Sequence, residues 1–182
     1  MRIITGSARG TRLATLQGQD TRPTAERVKE GIFSALQFEL PGRKVLDLFC
    51  GSGQLALEAL SRGAASAVLV DASRSAVDIA MKNAQRAHLY QQCRILPCDY
   101  KAFLKSTKDK FGLVLLDPPY EDKFMDTLLD EIAAADIVEK GGVIVCETWE
   151  TGQPQSELFT KRKVYRYGKI YVTVYQNGES TL

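Results

Sequence analysis

One histidine, His88, stands in a chain of 182 residues. That scarcity removes Ser-His-Asp and Cys-His catalysis as economical schemes unless His88 itself lies in a site, and it falls at the end of a helix-like segment. The four cysteines, Cys50, Cys93, Cys98 and Cys146, show no CxxC spacing. With no histidine cluster to join them, no metal centre is expected, and reduced, mostly buried thiols are the simpler reading. Long apolar runs are missing as well. Nothing approaches the ~18 residues of a membrane span, and "MRIITGSARG" lacks the apolar core of a signal peptide, so a cytoplasmic location is expected. There is no internal repeat, low-complexity tract or long linker, which leaves one domain. At 45% hydrophobic and 25% charged residues, the chain has enough apolar surface to fold without covalent staples.

What is present is unevenly distributed. The net charge is only +2, yet residues 1–19 hold Arg2, Arg9 and Arg12 and no acid, while "KRKVYRYGK" (161–169) holds five basic residues, Lys161, Arg162, Lys163, Arg166 and Lys169. Together these stretches carry +8, which leaves −6 for the rest. Segregation of this kind suits two chain ends that meet a polyanion on one face. The same lysines and arginines would also protect exposed strand edges from pairing with other chains.

Residues 1–22, with Gly6, Gly10 and Gly18 between short β-compatible pieces, read as a glycine-rich basic hairpin or arm, an extension to a domain spanning 23–182. Pro23 and Thr24 open a helix that runs to about Leu40, with Val28, Ile32 and Leu36 forming an apolar stripe. Strand-like and helix-like segments then alternate: "KVLDLF", a helix over 53–62, "SAVLVD", a helix over 74–88, "CRILPCD", a short helix near 100–105, "FGLVLLD", a helix over 124–136, and "GVIVCET". Almost continuously apolar strands separated by helices indicate a parallel sheet covered on both faces, and the right-handed crossover rule makes it doubly wound. "KVYRY" and "KIYVTVYQ", joined around Gly168, add an antiparallel hairpin.

In such a sheet the ligand crevice lies outside the carboxyl ends of the strands. Asp47, Asp71, Asp99 and Asp117 follow the first four strands. Any one of them is explained by the turn and cap preferences of aspartate. Four in register point to a site. "GSGQLA" fits the GxGxxG/A loop, in which Gly51 and Gly53 permit a tight turn and close backbone approach. Asp71 lies 20 residues after Gly51, the spacing of a carboxylate that accepts both hydroxyls of a ribose. An adenosine-containing ligand follows, and both NAD and S-adenosylmethionine (SAM) answer that description. Asp47, four residues before the first glycine, would repel a pyrophosphate and suit the amino group and sulfonium of SAM. Asp99 offers an acceptor for an adenine amine and Tyr100 a stacking surface, although the same pair also suits a helix start. Asn83, in "KNA", reads as a solvated helical residue.

The order "VLDLFCGSG", Asp71, Asp99, "DPPY" resembles the class I SAM-dependent methyltransferases that act on amino groups. With "RIITGSARGTRL", "TRPTAERVKEGIF", "DLFCGSGQLALEALSRGA" and the "YG" at 167 and 168, the closer resemblance is to the RsmD-like guanine-N2 methyltransferases of small-subunit (16S) ribosomal RNA, and it extends over nearly the whole chain. It departs at Ala56, where glycine is frequent, and at Gln54, which replaces a small residue. The resemblance implies a Rossmann-like fold with a seven-stranded, mostly parallel sheet ending in an antiparallel hairpin, and SAM as cofactor. The implied partner is ribosomal RNA or the small subunit, with no metal and no membrane, and the chain is expected to act as a monomer. Asp47, Gly51, Gly53, Asp71, Asp99 and Tyr100 are then the cofactor-binding set. Arg22, Thr24 and Arg27 line the substrate side, and Arg2, Arg9, Arg12, Lys161, Arg162, Lys163 and Arg166 contact phosphates.

The resemblance also gives "DPPY" its chemistry. The exocyclic amine of guanine is a poor nucleophile because its lone pair is delocalised into the ring. A backbone stiffened by Pro118 and Pro119 fixes the Asp117 carboxylate and the Pro118 carbonyl as acceptors for the two amine hydrogens. The nitrogen can then pyramidalise, while Tyr120 stacks on the extruded base. An adenine-N6 methyltransferase would use "DPPY" in the same way, although a DNA enzyme would need a target-recognition domain for which no residues remain. A NAD-dependent dehydrogenase leaves Asp47 and "DPPY" without a purpose. A non-catalytic RNA-binding module leaves the acids at every strand end unexplained.

Overall fold

The computed structural model describes residues 1–16, 23–118, 124–149 and 154–178. Along the chain the elements are α1 (Pro23–Ala35), β1 (Lys44–Asp47), α2 (Gln54–Ser61), β2 (Ser66–Asp71), α3 (Arg74–Arg86), a short 3-10 turn (Tyr90–Gln92), β3 (Cys93–Pro97), α4 (Tyr100–Ser106), β4 (Phe111–Leu116), α5 (Phe124–Ala134), β5 (Val138–Trp149), β6 (Thr160–Tyr167) and β7 (Ile170–Gln176). They build a seven-stranded sheet in the order β3-β2-β1-β4-β5-β7-β6. The first five strands are parallel, and β7 runs antiparallel to both β5 and β6. The mixed α/β class and the hairpin at the carboxyl end agree with the sequence expectation.

Alternation within the strands sorts the core into two layers. Val45, Ala67, Leu69, Leu113, Leu115, Val143 and Val145 point to the side covered by α1, α2 and α3, where they meet Val28, Phe33, Leu57 and Ala80. Leu46, Val68, Val70, Val114, Leu116 and Ile144 point the other way, onto Phe103 of α4 and Leu128, Leu129 and Ile132 of α5. Every residue of β4 is buried, as a strand covered on both faces requires.

Three boundaries differ from the periodicity. The helix α1 stops at Ala35 and not near Leu40; beyond Leu36 the chain closes tighter turns, such as Glu39 N–H to the Leu36 carbonyl, and Phe38 is left exposed. The strand β5 begins at Val138, before the "GVIVCET" run. Its pairing with β4 jumps from Phe111↔Val138 to Leu113↔Val143. The surplus residues form a bulge at Gly141, whose φ is +74°, and Gly142, where a Cβ would lie 2.8 Å from the Glu139 carbonyl oxygen, so glycine is what the fold permits there. The strand β6 starts at Thr160, which brings Lys161, Arg162 and Lys163 into an edge strand.

Residues 1–16 fold back on themselves, through a bridge between Arg2 and Arg12 and hydrogen bonds from Ile3 N–H to the Thr11 carbonyl, Gly10 N–H to the Ile3 carbonyl and Leu13 N–H to the Met1 carbonyl. They lie on α2. Ile3 and Leu13 are buried in the layer of α1 to α3, and Gly6 sits where a Cβ would fall 1.7 Å from the Ser61 carbonyl oxygen. Because this segment covers its outer side, α2 is buried from Leu55 to Ser61, including Glu58. The Glu58 carboxylate accepts from the backbone N–H of Ile4 (2.8 Å) and Thr5 (3.1 Å) and from Arg62. Lys29, buried with it, lies 3.5 Å away and donates to the Arg2 carbonyl at 2.6 Å. Burial pushes the Lys29 amine below its ordinary value, against the opposing pull of Glu58.

Candidate active site

The strand order reverses between β1 and β4: from β1 the chain builds outward through β2 and β3, then returns to place β4 on the other side. A ligand crevice is expected at such a switch point, which lies here between the carboxyl ends of β1 and β4, at Asp47 and Asp117. Register sets the height of each acid. Asp47 is level with Leu69 and Leu115, so Asp71 and Asp117 project two residues further. Asp71 is level with Pro97, so Asp99 extends two beyond that. Four carboxylates thus form a stepped rim along one edge of the sheet.

Each acid has its own environment. Asp47 is buried; one oxygen, Oδ2, accepts from Ala56 N–H at 3.2 Å, and Oδ1 has no partner among the described residues. Burial is the main cause that raises its pKa to about 8, with the charges of Asp117 and Asp71 adding to it and the Ala56 hydrogen bond opposing. Asp117 is half-buried, and desolvation lifts it to about 6. Asp71 closes the glycine loop: Oδ2 accepts from Gly51 N–H at 2.9 Å and Oδ1 from Ser73 N–H at 2.8 Å. Each of its oxygens keeps a second lone pair for a hydroxyl donor. Asp99 is the N-cap of α4 and accepts from Lys101 and Ala102 N–H. Tyr100 joins a cluster with Phe49 and Phe124, ring centroids 5.4 and 5.6 Å away, and burial followed by Glu131 raises its phenol.

The loop between β1 and α2 is shaped for close approach. Gly51 has φ +51°, and a Cβ there would meet nothing within 4 Å. Gly53 has φ +78° and is tightly packed, since a Cβ would lie 3.0 Å from Leu69 and 3.3 Å from Ala80. An orphaned buried carboxylate oxygen suited to a cation, an open glycine and a half-satisfied carboxylate one strand away fit a cationic adenosine-containing ligand of the SAM type. The side-chain Oε1 of Gln54, the residue that departs from the family's small one, is also buried and unpaired among the described residues.

The remaining predicted residues divide. Pro118 is buried beside Asp117. Pro119, Tyr120 and Arg22 lie outside the described residues, as does the side chain of Thr24. Arg27 is exposed on α1, and Arg2, Arg9 and Arg12 are exposed on the amino-terminal segment. The helix α1 joins this segment to the basic hairpin, because Lys29 holds the Arg2 carbonyl and Gly31 lies directly under the Tyr167 hydroxyl. Lys161, Lys163 and Arg166 are exposed on β6, with Lys163 over Tyr165 and Arg166 over Tyr171. Arg162 is held by both Glu39 oxygens, at 3.0 and 2.9 Å. Of the thiols, Cys50 and Cys146 are buried and Cys93 and Cys98 half-buried, all four free.

Sequence reasoning misplaced Asn83, which is fully buried and bonded to Ala14 and Ser52. Its helical position carried the signal: it lies three residues after Ala80 and seven after Ala76, on the apolar stripe of α3. A polar side chain on such a stripe needs partners inside.

Known proteins share both sequence and fold with this chain. The family model described as Conserved hypothetical protein 95 matches residues 1–176. YlbH of Bacillus subtilis is 34% identical over 97% of this chain and 98% of its own. A Haemophilus influenzae protein named ribosomal RNA small subunit methyltransferase D is 30% identical over 97% of this chain and 94% of its own. The solved structure of yhhF from Escherichia coli superposes with a TM-score of 0.87 at 28% identity, covering 97% of each chain. With a family model that spans nearly the whole sequence and a fold that matches from end to end, the chain belongs to the RsmD-like methyltransferases.

Proposed function

We propose that the protein transfers a methyl group from SAM to the exocyclic N2 amine of a guanine in small-subunit ribosomal RNA. The observation that carries the reading is the pairing of Asp47 and Asp117 across the switch point, one acid beside the glycine loop and the other at the head of "DPPY". The named relatives supply the substrate class. SAM contributes the electrophilic methyl when bound; Asp47, Gly51, Gly53 and Asp71 would hold it, with Asp99 and Tyr100 on the adenine side.

The chain's own part is to bind and aim the amine. The Asp117 carboxylate and the Pro118 carbonyl accept its two hydrogens, which localises the lone pair on nitrogen and directs it at the methyl carbon. The N–C bond would form at the expense of the methyl–sulfur bond, and the methylated nitrogen, cationic at that moment, would give up a proton to water. Asp117, with a pKa near 6, is ionised at neutral pH and so accepts hydrogen bonds without needing a histidine. Positioning and charge account for the rate. Tyr120 stacks on the base once it is out of its own stack.

Transfer of labelled methyl from SAM to unmethylated small-subunit RNA or subunits tests the activity, with Asp117→Ala as the blank. No transfer to any ribosomal substrate would refute it. Two further outcomes follow from the geometry. A positive φ costs an alanine roughly 1–2 kcal/mol and overpacking about 1–3 kcal/mol. Gly53→Ala, which suffers both, should therefore unfold at a clearly lower temperature than Gly51→Ala. Cofactor affinity measured by calorimetry should run the other way, because only at Gly51 does the new methyl enter open space. RNA affinity should fall steeply with salt, and Arg9→Ala should reduce the slope of log K against log salt by about one contact's worth, ~0.7–0.9. Arg162→Ala should change that slope less, since Glu39 already holds the guanidinium.

A further inference from the structure

Asn83 joins parts of the molecule that the catalytic reading treats separately. A buried primary amide has two donors and an acceptor to satisfy, and Asn83 satisfies them on two distant segments. Its Oδ1 accepts from Ala14 N–H at 2.8 Å, and its Nδ2 donates to the Ala14 carbonyl at 2.9 Å and to the Ser52 carbonyl at 2.9 Å. The pair of bonds to Ala14 copies the exchange that two strands make and pins the basic arm two residues beyond Arg12. Ser52 is the residue between Gly51 and Gly53. One nitrogen therefore holds the arm with one hydrogen and the glycine loop with the other. The rest of the arm is tied to α2, the helix that this loop opens into: Glu58 accepts from Ile4 and Thr5, the Ser61 hydroxyl donates to the Thr5 carbonyl at 2.6 Å, and it accepts from Ala8 N–H at 3.0 Å. Among the described residues, the Asn83 hydrogen bond to Ser52 is the one that reaches the loop itself.

We propose that Asn83 is a positioning residue that couples occupancy of the cofactor loop to the order of the basic arm, so that cofactor and RNA each raise the affinity of the other. The inference rests on the cofactor and substrate reading above. Fixing the loop under a ligand fixes the Ser52 carbonyl, which fixes the amide plane of Asn83, and that plane sets both bonds to Ala14. The path is a contiguous hydrogen-bonded one. Thermodynamic linkage makes its effect reciprocal, with a factor of about fivefold or more for a coupling of ordinary size.

The test uses the full-length protein with S-adenosylhomocysteine and unmethylated small-subunit RNA, read by binding and by amide hydrogen exchange. In the wild type, S-adenosylhomocysteine should slow exchange at Ala14 and tighten RNA binding about fivefold or more, and RNA should tighten S-adenosylhomocysteine by the same factor. Asn83→Ala should weaken S-adenosylhomocysteine binding and abolish the mutual effect. Ala14→Pro removes the N–H that Oδ1 accepts but leaves the Ala14 carbonyl and the bond to Ser52, so it should weaken the mutual effect with S-adenosylhomocysteine affinity nearly unchanged. A wild-type protein that binds both ligands independently, with Ala14 exchange unmoved, would overturn the coupling while leaving the activity intact, and so would an Asn83→Ala protein that keeps the mutual effect. A wild-type protein that does not bind S-adenosylhomocysteine would overturn the cofactor reading and the coupling with it.

Discussion

Asp117→Ala should lower kcat by about 10²–10³-fold, the effect of deleting one preorganised partner of a developing charge, while cofactor affinity stays within a few fold of wild type. The reason is positional. Asp117 stands just past the end of β4, two residues beyond the level of Asp47, across the switch point from the loop that would hold the cofactor, so its loss should be felt by the amine. Asn at 117 keeps one acceptor oxygen and replaces the other with a donor. Asp117→Asn should accordingly retain more activity than the alanine variant. The rate should also fall below about pH 6, where the carboxylate protonates. Loss of cofactor binding in Asp117→Ala, measured by calorimetry, would mean that this acid belongs to the other half of the site.

Asp47→Asn should do the opposite: stabilise the free protein and impair the site. With a pKa raised from 3.8 to about 8, ionised Asp47 is disfavoured in the folded state. Its contribution to stability is fully present below about pH 4 and is lost as the pH rises through about 8. At ~1.4 kcal/mol per pKa unit, the part lost by pH 8 is of order 5 kcal/mol, an upper bound because the denatured chain is not featureless. Asparagine keeps an oxygen for the Ala56 N–H and cannot ionise. Its thermal stability should therefore match that of the wild type near pH 4 and exceed it increasingly up to pH 8. Cofactor affinity should fall by roughly 10- to 100-fold, the ~1.5–3 kcal/mol of a hydrogen bond to a charged group. In the wild type that affinity should rise with pH until Asp47 is ionised, and in Asp47→Asn it should be flat across the same range. A strained acid kept where it costs stability is what a binding site is expected to contain.

The parts of this arrangement that the sequence displays are those written in local patterns. Continuous apolar strands, the first four each ending in or followed by an aspartate, disclose the parallel sheet and the edge on which its acids stand. The glycines at 51 and 53 announce the loop. What stays hidden depends on contacts between distant segments. Glu58 looks like an ordinary helical charge until the amides of Ile4 and Thr5 are laid over it, and α2 shows no polar face because the arm covers the side that would have been one. Arg162 reads as one more basic residue of "KRK", yet Glu39, 123 positions away, claims it. The bulge at Gly141 and Gly142 extends β5 through residues whose charges, Glu139 and Lys140, resemble a loop. Asn83 is intermediate: its place on the apolar stripe could be read from the sequence, but its partners could not.

The roles proposed for Asp117 and the Pro118 carbonyl do not choose guanine over adenine, since either base presents an amine with two hydrogens. The central claim is therefore tested most directly by incubating the protein with labelled SAM and unmethylated small-subunit RNA or subunits, digesting the RNA, and identifying the labelled nucleoside by chromatography and mass. N2-methylguanosine as the labelled product is the result expected. Label in N6-methyladenosine, or no labelled nucleoside at all, would contradict it.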